Sequence, residues 1–336
     1  MKNRIAYIVL IFILAIPSSA QDSLQTVVAE TGDGIFSLLR KNEMSPSEYL
    51  KPFIQLNSAY ITKDNQLIAG KTYKLPKKTD ALKKAQLTRY AIFGKDYEVV
   101  DSISNRLSGT VCYLISGHGG PDPGAIAKYG DVVVSEDEYA YDVTLRLARE
   151  LIANGAEVHI IIQDENDGIR NARALELDTD EKLLNQEEIP LNQVERLEQR
   201  TKKVNELYRK NIGKYQRLLV THVDSRTKGK NIDVFFYHHE KSKNGLNLAK
   251  SIHETFEKKY RQFQPNRTYT GTFSERSNLY LVKKTLPAMA YIEIGNIKNK
   301  KDQKRIFDPE NRQALAKWIF EGIVLDYETA TIKNAK

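Results

Sequence analysis

Apolar positions along the chain fall into two kinds of run. Short, largely apolar stretches at Val111–Ile115, Glu157–Ile162, Arg217–His222, Ile232–His238, Leu279–Val282 and Ala288–Ile294 have the length and β-branched content of strands. Between them, Glu136–Ala153, Leu191–Lys210, Asn244–Tyr260 and Pro309–Tyr327 carry apolar residues at helical spacing. Asn154-Gly155 stops the first of these helices, and Asp308-Pro309-Glu310 opens the last. Strands alternating with helices predict an α/β domain whose central sheet is covered on both faces.

The pattern before residue 108 is different. Gln25–Ala29 reads as a short strand, and Thr31-Gly32-Asp33-Gly34 opens a helix with Ile35, Phe36, Leu38 and Leu39 apolar. Ser45-Pro46 starts a second helix with Tyr49, Leu50, Phe53 and Leu56 on one face, and Ala69–Pro76 closes the unit as a turn and a strand. This strand–helix–helix–strand unit, residues 21–76, is a small α+β domain. Residues 77–107 are rich in lysine and polar side chains and read as a linker, with a strand at Tyr97–Val100. The last nine residues, 328–336, read as a tail.

The first twenty residues stand outside both domains. Lys2 and Arg4 precede an apolar run from Ile5 to Ile16, followed by Pro17-Ser18-Ser19-Ala20, the layout of a secretory signal cut after Ala20. The run is too short for a comfortable membrane span, and no later stretch is long enough to be one, so no stable membrane anchor is expected. Export sets the location as the periplasm or cell envelope, or outside the cell. A single cysteine, Cys112, excludes an internal disulfide and reads as a small buried hydrophobe. Net charge is +8, and +6 once Lys2 and Arg4 leave. The basic residues are scattered, which reads as a solvated face. Export favours an anionic envelope over nucleic acid as any polyanionic partner.

Chemistry concentrates at three strand ends. Val111–Ile115 stops at Ser116-Gly117-His118-Gly119-Gly120, where flanking glycines leave the imidazole of His118 unshielded. His222 follows the apolar run of LLVTHVD, and Glu293 is embedded in the apolar strand AMAYIEIGN. Taken singly, a turn histidine, a core histidine and a salt-bridged glutamate would account for these residues. One shared site at the carboxyl edge of the sheet accounts for them more economically. In Ser135-Glu136-Asp137-Glu138, the spacing of Ser135 and Glu138 predicts a capping box, which leaves Glu136 free to act as a ligand. Two histidines, one carboxylate and an open position for water form a catalytic zinc set, with a second carboxylate as base.

The segments SGHGGPDPGA, SEDEYAYDVTLRLARELIANGAEV, LLVTHVDS and PAMAYIEIGNIKNKKDQKRI resemble those of zinc-dependent N-acetylmuramoyl-L-alanine amidases, in the family's order, over residues 108–327. The resemblance implies a twisted mixed sheet of about six strands flanked by helices, zinc (Zn2+) on His118, Glu136 and His222, and Glu293 as the catalytic glutamate. Where the family usually has His-Ala-Asn and Leu-Gly-Phe, this chain has His222-Val223-Asp224 and Ile294-Gly295-Asn296, so Asp224 and Asn296 are expected as substrate contacts. Arg200 and Asn205 match a family arginine and asparagine and are read as structural. Residues 21–76, with GDGIFSLLRKN early and LIAGKTYKLP late, are similar to a LysM peptidoglycan-binding module.

The reading is an exported amidase that cuts between N-acetylmuramic acid and the L-alanine of the stem peptide. Its partner is peptidoglycan, and any activator protein is left unnamed. A catalytically inactive wall-binding protein and a zinc peptidase are the alternatives. Asp164–Pro190 is longer than the connection usual in the family, and its acidic residues outnumber its three basic ones in a chain that is basic overall. It is expected to overhang the metal as a lid, against the alternative of an inert surface excursion.

Overall fold

The computed structural model describes residues 24–42, 44, 46–62, 66–77, 88–224 and 233–334. The expected signal, Ser45 and residues 225–232, with the basic side chains of Arg226–Lys230, lie outside the described residues. The chain divides into two units, Met1–Ala85 and Gln86–Lys336.

In the first unit, strand β1 (Thr26–Val28) leads to helices α1 (Ile35–Lys41) and α2 (Pro46–Asn57), and β2 (Thr72–Lys74) pairs antiparallel with β1. This is the predicted order. Ile35, Leu38, Leu39, Phe53 and Tyr73 fill the core, whereas Phe36 and Leu56 face solvent. Asn57 ties the end of α2 to β2, giving a hydrogen bond to the Lys74 carbonyl and receiving one from its amide, both 2.8 Å.

The second unit begins with a small hairpin, β3 (Thr88–Arg89) and β4 (Val99–Val100). Phe93, Val100 and Leu107 are buried in the main core, so residues 88–107 fold with this unit and do not act as a connector. There follow β5 (Thr110–Ser116), the hairpin β6 (Ile126–Tyr129) and β7 (Val132–Ser135), and α3 (Glu136–Ala153). Then come β8 (Glu157–Ile160), β9 (Ile162–Gln163), β10 (Lys182–Leu183), α4 (Gln193–Lys210) and β11 (Tyr215–Asp224). The chain continues through β12 (Phe235–His238), α5 (Lys243–Phe263), β13 (Thr272–Glu275), α6 (Tyr280–Lys284), β14 (Ala288–Asn296), α7 (Lys300–Phe307) and α8 (Pro309–Asn334). The last helix thus continues through most of the expected tail.

Six strands form the mixed sheet in the order β13-β12-β14-β11-β5-β8. All neighbours are parallel except β12 and β14. Strand parity assigns each residue its face. Cys112, Leu114, Leu219, Val223, Ala290, Ile292 and Ile294 face a core shared with α3, α5 and α8. Val111, Tyr113, Ile115, Leu218, Val220 and Met289 face the opposite side, with Val204 of α4 and Leu281 of α6. Cys112 is fully buried, and burial pushes its thiol up to about 12, far from a nucleophile.

One predicted strand is a helix. Leu279–Val282 was expected to be extended, but Tyr280–Lys284 forms the helical turn α6, with Leu281 and Val282 buried. A run this short carries no decisive periodicity, and both edges of β14 are already taken by β11 and β12. No helix among the described residues is long and apolar enough to cross a membrane.

Candidate active site

β5, β11 and β14 lie side by side and parallel, and their carboxyl ends bring the predicted residues together. His222 continues the parity of Leu218 and Val220, and its register partner on β14 is Glu293. The two side chains therefore leave the same face of the sheet. Tyr291, two residues before Glu293, stacks on the His222 ring at 4.6 Å between centroids, with a 12° interplanar angle.

His118 sits on the loop after β5 with φ at 63°, a left-handed conformation unusual for a side chain of this size. The buried guanidinium of Arg200 donates to its carbonyl at 2.6 Å, and Gly119 donates to the Asp122 carbonyl at 2.8 Å, closing a tight loop that holds it there. Two glycines make room for the rings. A Cβ on Gly117 would lie 2.3 Å from the His222 ring, and one on Gly124, itself at φ +68°, 2.7 Å from that of His118.

Glu136 is the first residue of α3, and its carboxylate points between the two imidazoles. Its Oε1 is 2.9 Å from His222 Nδ1 and 3.4 Å from His118 Nε2. It also accepts the amides of Val223 at 3.0 Å and, through Oε2, Ala125 at 3.1 Å. One donor atom from each of His118, Glu136 and His222 lies within 4.8 Å of the others. The sequence argument for Glu136 needs a correction. The Ser135 side chain does not cap α3, and Glu138 does not reach back. Glu138 instead takes the Arg170 guanidinium at 2.6 Å and the Asp178 amide at 3.1 Å, because both lie in the insertion packed over the start of α3.

Asp122 is a site residue missed in the sequence. Its carboxylate lies 3.0 Å from His118 Nδ1 and 2.6 Å from Arg196 of α4. The hydrogen bond to Nδ1 fixes the ring so that Nε2 faces Glu136. Its position four residues after His118, in PDPG, was the available signal. Burial favours neutral His118, but Asp122 and Glu136 outweigh it and raise the ring to about 10. His118 in turn holds Asp122 far below the usual carboxylate range. Burial opposes the charge on Glu136, yet the two histidines lower its pKa all the same. Burial lowers His222. The cradle thus favours a carboxylate between one cationic and one neutral imidazole.

These residues line a cavity of about 880 Å³, together with Asp224, Tyr237, Arg276, Tyr280, Lys298 and others. Asp224 reaches the cavity and Asn296 does not. Asn296 is buried in the turn after β14, where its side chain accepts the Lys298 amide at 2.9 Å. Arg200 lines the cavity, while Asn205 ties α4 to the Lys284 carbonyl and the Leu286 amide. No residue of Asp164–Pro190 lines the cavity, so the insertion is not an overhanging lid. It is fastened to α3 and α8 by its own hydrogen bonds: Arg312 donates to the carbonyls of Arg170 and Ala172, both at 2.8 Å.

At the carboxyl edge of this mixed α/β sheet, two histidines and a carboxylate form a group whose donor atoms could hold a metal ion, with a second carboxylate, Glu293, beside them. The family model for N-acetylmuramoyl-L-alanine amidase matches residues 112–324, and the chain belongs to that family. It is a peptidoglycan amidase. Several solved amidases are similar to it. The CwlD amidase of Clostridioides difficile, solved in complex with the GerS lipoprotein, is 21% identical, with 66% of this chain and 98% of that one covered and a TM-score of 0.48. The catalytic domain of CwlV from Bacillus (Paenibacillus) polymyxa var. colistinus is 19% identical over 64% and 96%, with a TM-score of 0.45. AmiC2 of Nostoc punctiforme is 19% identical over 67% and 99%, with a TM-score of 0.45. A comparison with curated proteins gave no match.

Proposed function

We propose that His118, Glu136 and His222 hold zinc, and that Glu293 moves the proton in hydrolysis of the bond between the lactyl group of N-acetylmuramic acid and L-alanine. The observation that carries this reading is the convergence of three donor atoms within 4.8 Å, from two imidazoles and one carboxylate. Nitrogen and oxygen donors without thiolate suit zinc, and three protein ligands leave a fourth position open. The donor set fits the ion. When bound, zinc supplies a Lewis acid that polarises the scissile carbonyl and acidifies water.

Glu293, in register with His222, takes the proton of the attacking water and returns it to the leaving nitrogen of L-alanine. Asp122 holds Nδ1 of His118 and so would keep its Nε2 turned to the metal. Arg276 and Lys298 line the same groove and match the carboxylates of a stem peptide, with Asp224 contacting its polar backbone. Residues 21–76 act as a LysM-like unit that holds glycan and raises local substrate concentration. The protein works after export, in the periplasm or cell envelope.

Mass analysis of products from purified peptidoglycan tests the reading. The expected products are free stem peptides beginning with L-alanine, released from intact glycan. Cleavage within the stem would make the protein a zinc peptidase, and no product from the zinc-loaded protein would make it a wall-binding protein. Glu293→Ala is expected to keep the metal and lose about 10²–10⁴-fold in turnover. Undiminished turnover in that variant would remove Glu293 from the mechanism.

A further inference from the structure

Four planar side chains line the groove in a row that starts at His222 and leads away from it. The Tyr291 ring stacks on His222, the Tyr237 ring lies 6.1 Å from that of Tyr291, and the Arg276 guanidinium lies 5.0 Å from the centroid of Tyr237. Sheet register builds the row. Tyr237 and Tyr291 are direct partners on β12 and β14. Ser274 is the partner of Tyr237 on β13, and Arg276, two residues on, continues its parity just past the strand. The four side chains therefore leave one face of the sheet, and all four line the cavity.

Arg276 is the charged end of that row. Its amide donates to the His238 carbonyl and its carbonyl accepts the Leu279 amide, both at 3.1 Å, so the root of the side chain is fixed. Among the described residues its guanidinium forms no ion pair or hydrogen bond, only the contact with Tyr237. Arg196 and Arg200 in the same cavity are already tied, to Asp122 and to the His118 carbonyl. A guanidinium held on an aromatic face keeps its N–H fork for a carboxylate, which takes it through two parallel bonds. Lys298 also lines the cavity, but it is exposed, and an ammonium on a flexible stem offers no such fork.

We propose that Arg276 selects the substrate by binding a carboxylate of the stem peptide beyond its first residue. The stem then crosses the sheet edge from β11 over β14 and β12 toward β13. This rests on the proposed cut before L-alanine, which sets the first residue of the stem beside the metal. Steps of 4.6, 6.1 and 5.0 Å along the row put the guanidinium at most about 16 Å from the His222 ring. An extended chain covers about 3.3–3.6 Å per residue, so the carboxylate lies within about five residues of the cut. Tyr291 and Tyr237 floor the path between the two ends.

The test uses the zinc-loaded mature chain and two soluble substrates, a muramyl tetrapeptide with free carboxylates and the same compound with every carboxylate amidated. The wild type is expected to favour the acid by about 10–100-fold in kcat/KM, the worth of a hydrogen bond to a charged group. The difference should fall on KM, because the contact is made away from the reacting bond. In Arg276→Gln the acid-to-amide ratio should drop close to one while the zinc content is kept. Arg276→Lys should lie between, since it retains the charge and loses the fork. Equal kcat/KM on acid and amide in the wild type overturns the proposal, as does a wild-type ratio in Arg276→Gln. A parallel loss on both substrates in that variant would make Arg276 structural and overturn it too. If Arg276→Gln does not fold, Arg276→Lys decides, and an undiminished ratio there counts against the proposal. Loss of the ratio in Lys298→Gln, with Arg276→Gln unaffected, would move the carboxylate to Lys298. Release of no stem peptide from either substrate by the wild type would sink the amidase reading itself, and this assignment with it.

Discussion

His118 is held from three directions: by Asp122 at Nδ1, by Arg200 at its carbonyl and by the space over Gly124. The Asp122 carboxylate does two tasks, since it also takes Arg196 at 2.6 Å. Asp122→Asn keeps the shape and weakens the grip on the ring, so zinc affinity should fall about 10–100-fold in a chelator competition. Unchanged affinity would reduce Asp122 to packing. Gly117→Ala places a methyl 2.3 Å from the His222 ring and must push the imidazole aside. The variant should keep its circular dichroism and lose bound metal. A full metal complement would show that the loop yields instead.

Between elements, one buried carboxylate joins three parts of the chain. Asp142 of α3 takes Arg146 at 2.7 Å and Arg312 of α8 at 2.6 Å, and all three are at most 3% exposed. Arg312 continues to the carbonyls of Ile306 and Phe307 as well as to those of the insertion. Arg312→Met leaves Asp142 half-paired and strands buried carbonyls. The expected loss is about 3–5 kcal/mol in urea unfolding, and a loss below 1 kcal/mol would mean that the network relaxes around Arg146. The insertion is structural for the same reason. Replacing residues 168–188 by a short Gly/Ser link removes Ile169, Leu175 and Glu181 from buried positions, and should lower the melting temperature rather than alter stem-peptide preference.

At the scale of the molecule, the chain forms two units with separate cores. A chain beginning at Gln86 keeps the whole mixed sheet and the groove. It should bind insoluble peptidoglycan more weakly and cleave a small soluble muropeptide at the rate of the mature protein. Equal loss of both would make the N-terminal unit part of the catalytic machinery. Chelation should stop cleavage, and added zinc should restore it.

The sequence by itself determined what local periodicity encodes. Apolar parity places His222 with Leu218 and Val220, and Glu293 with Met289 and Tyr291, before any pairing is known. The glycines around His118 and the α/β alternation were legible in the same way, because each depends only on residues close in the chain. Tertiary structure decided what depends on partners far along it. Strand order set β11 between β5 and β14 and so closed the site. The same order left α6 no place in the sheet. Glu138 abandoned its predicted cap for Arg170, 32 residues away, because a buried carboxylate gains more from a guanidinium than from a backbone amide. Asp122 became a site residue only when α4 brought Arg196 to it across 74 residues. Such contacts leave no periodic trace, since loop closure joins residues whose spacing the chain does not record.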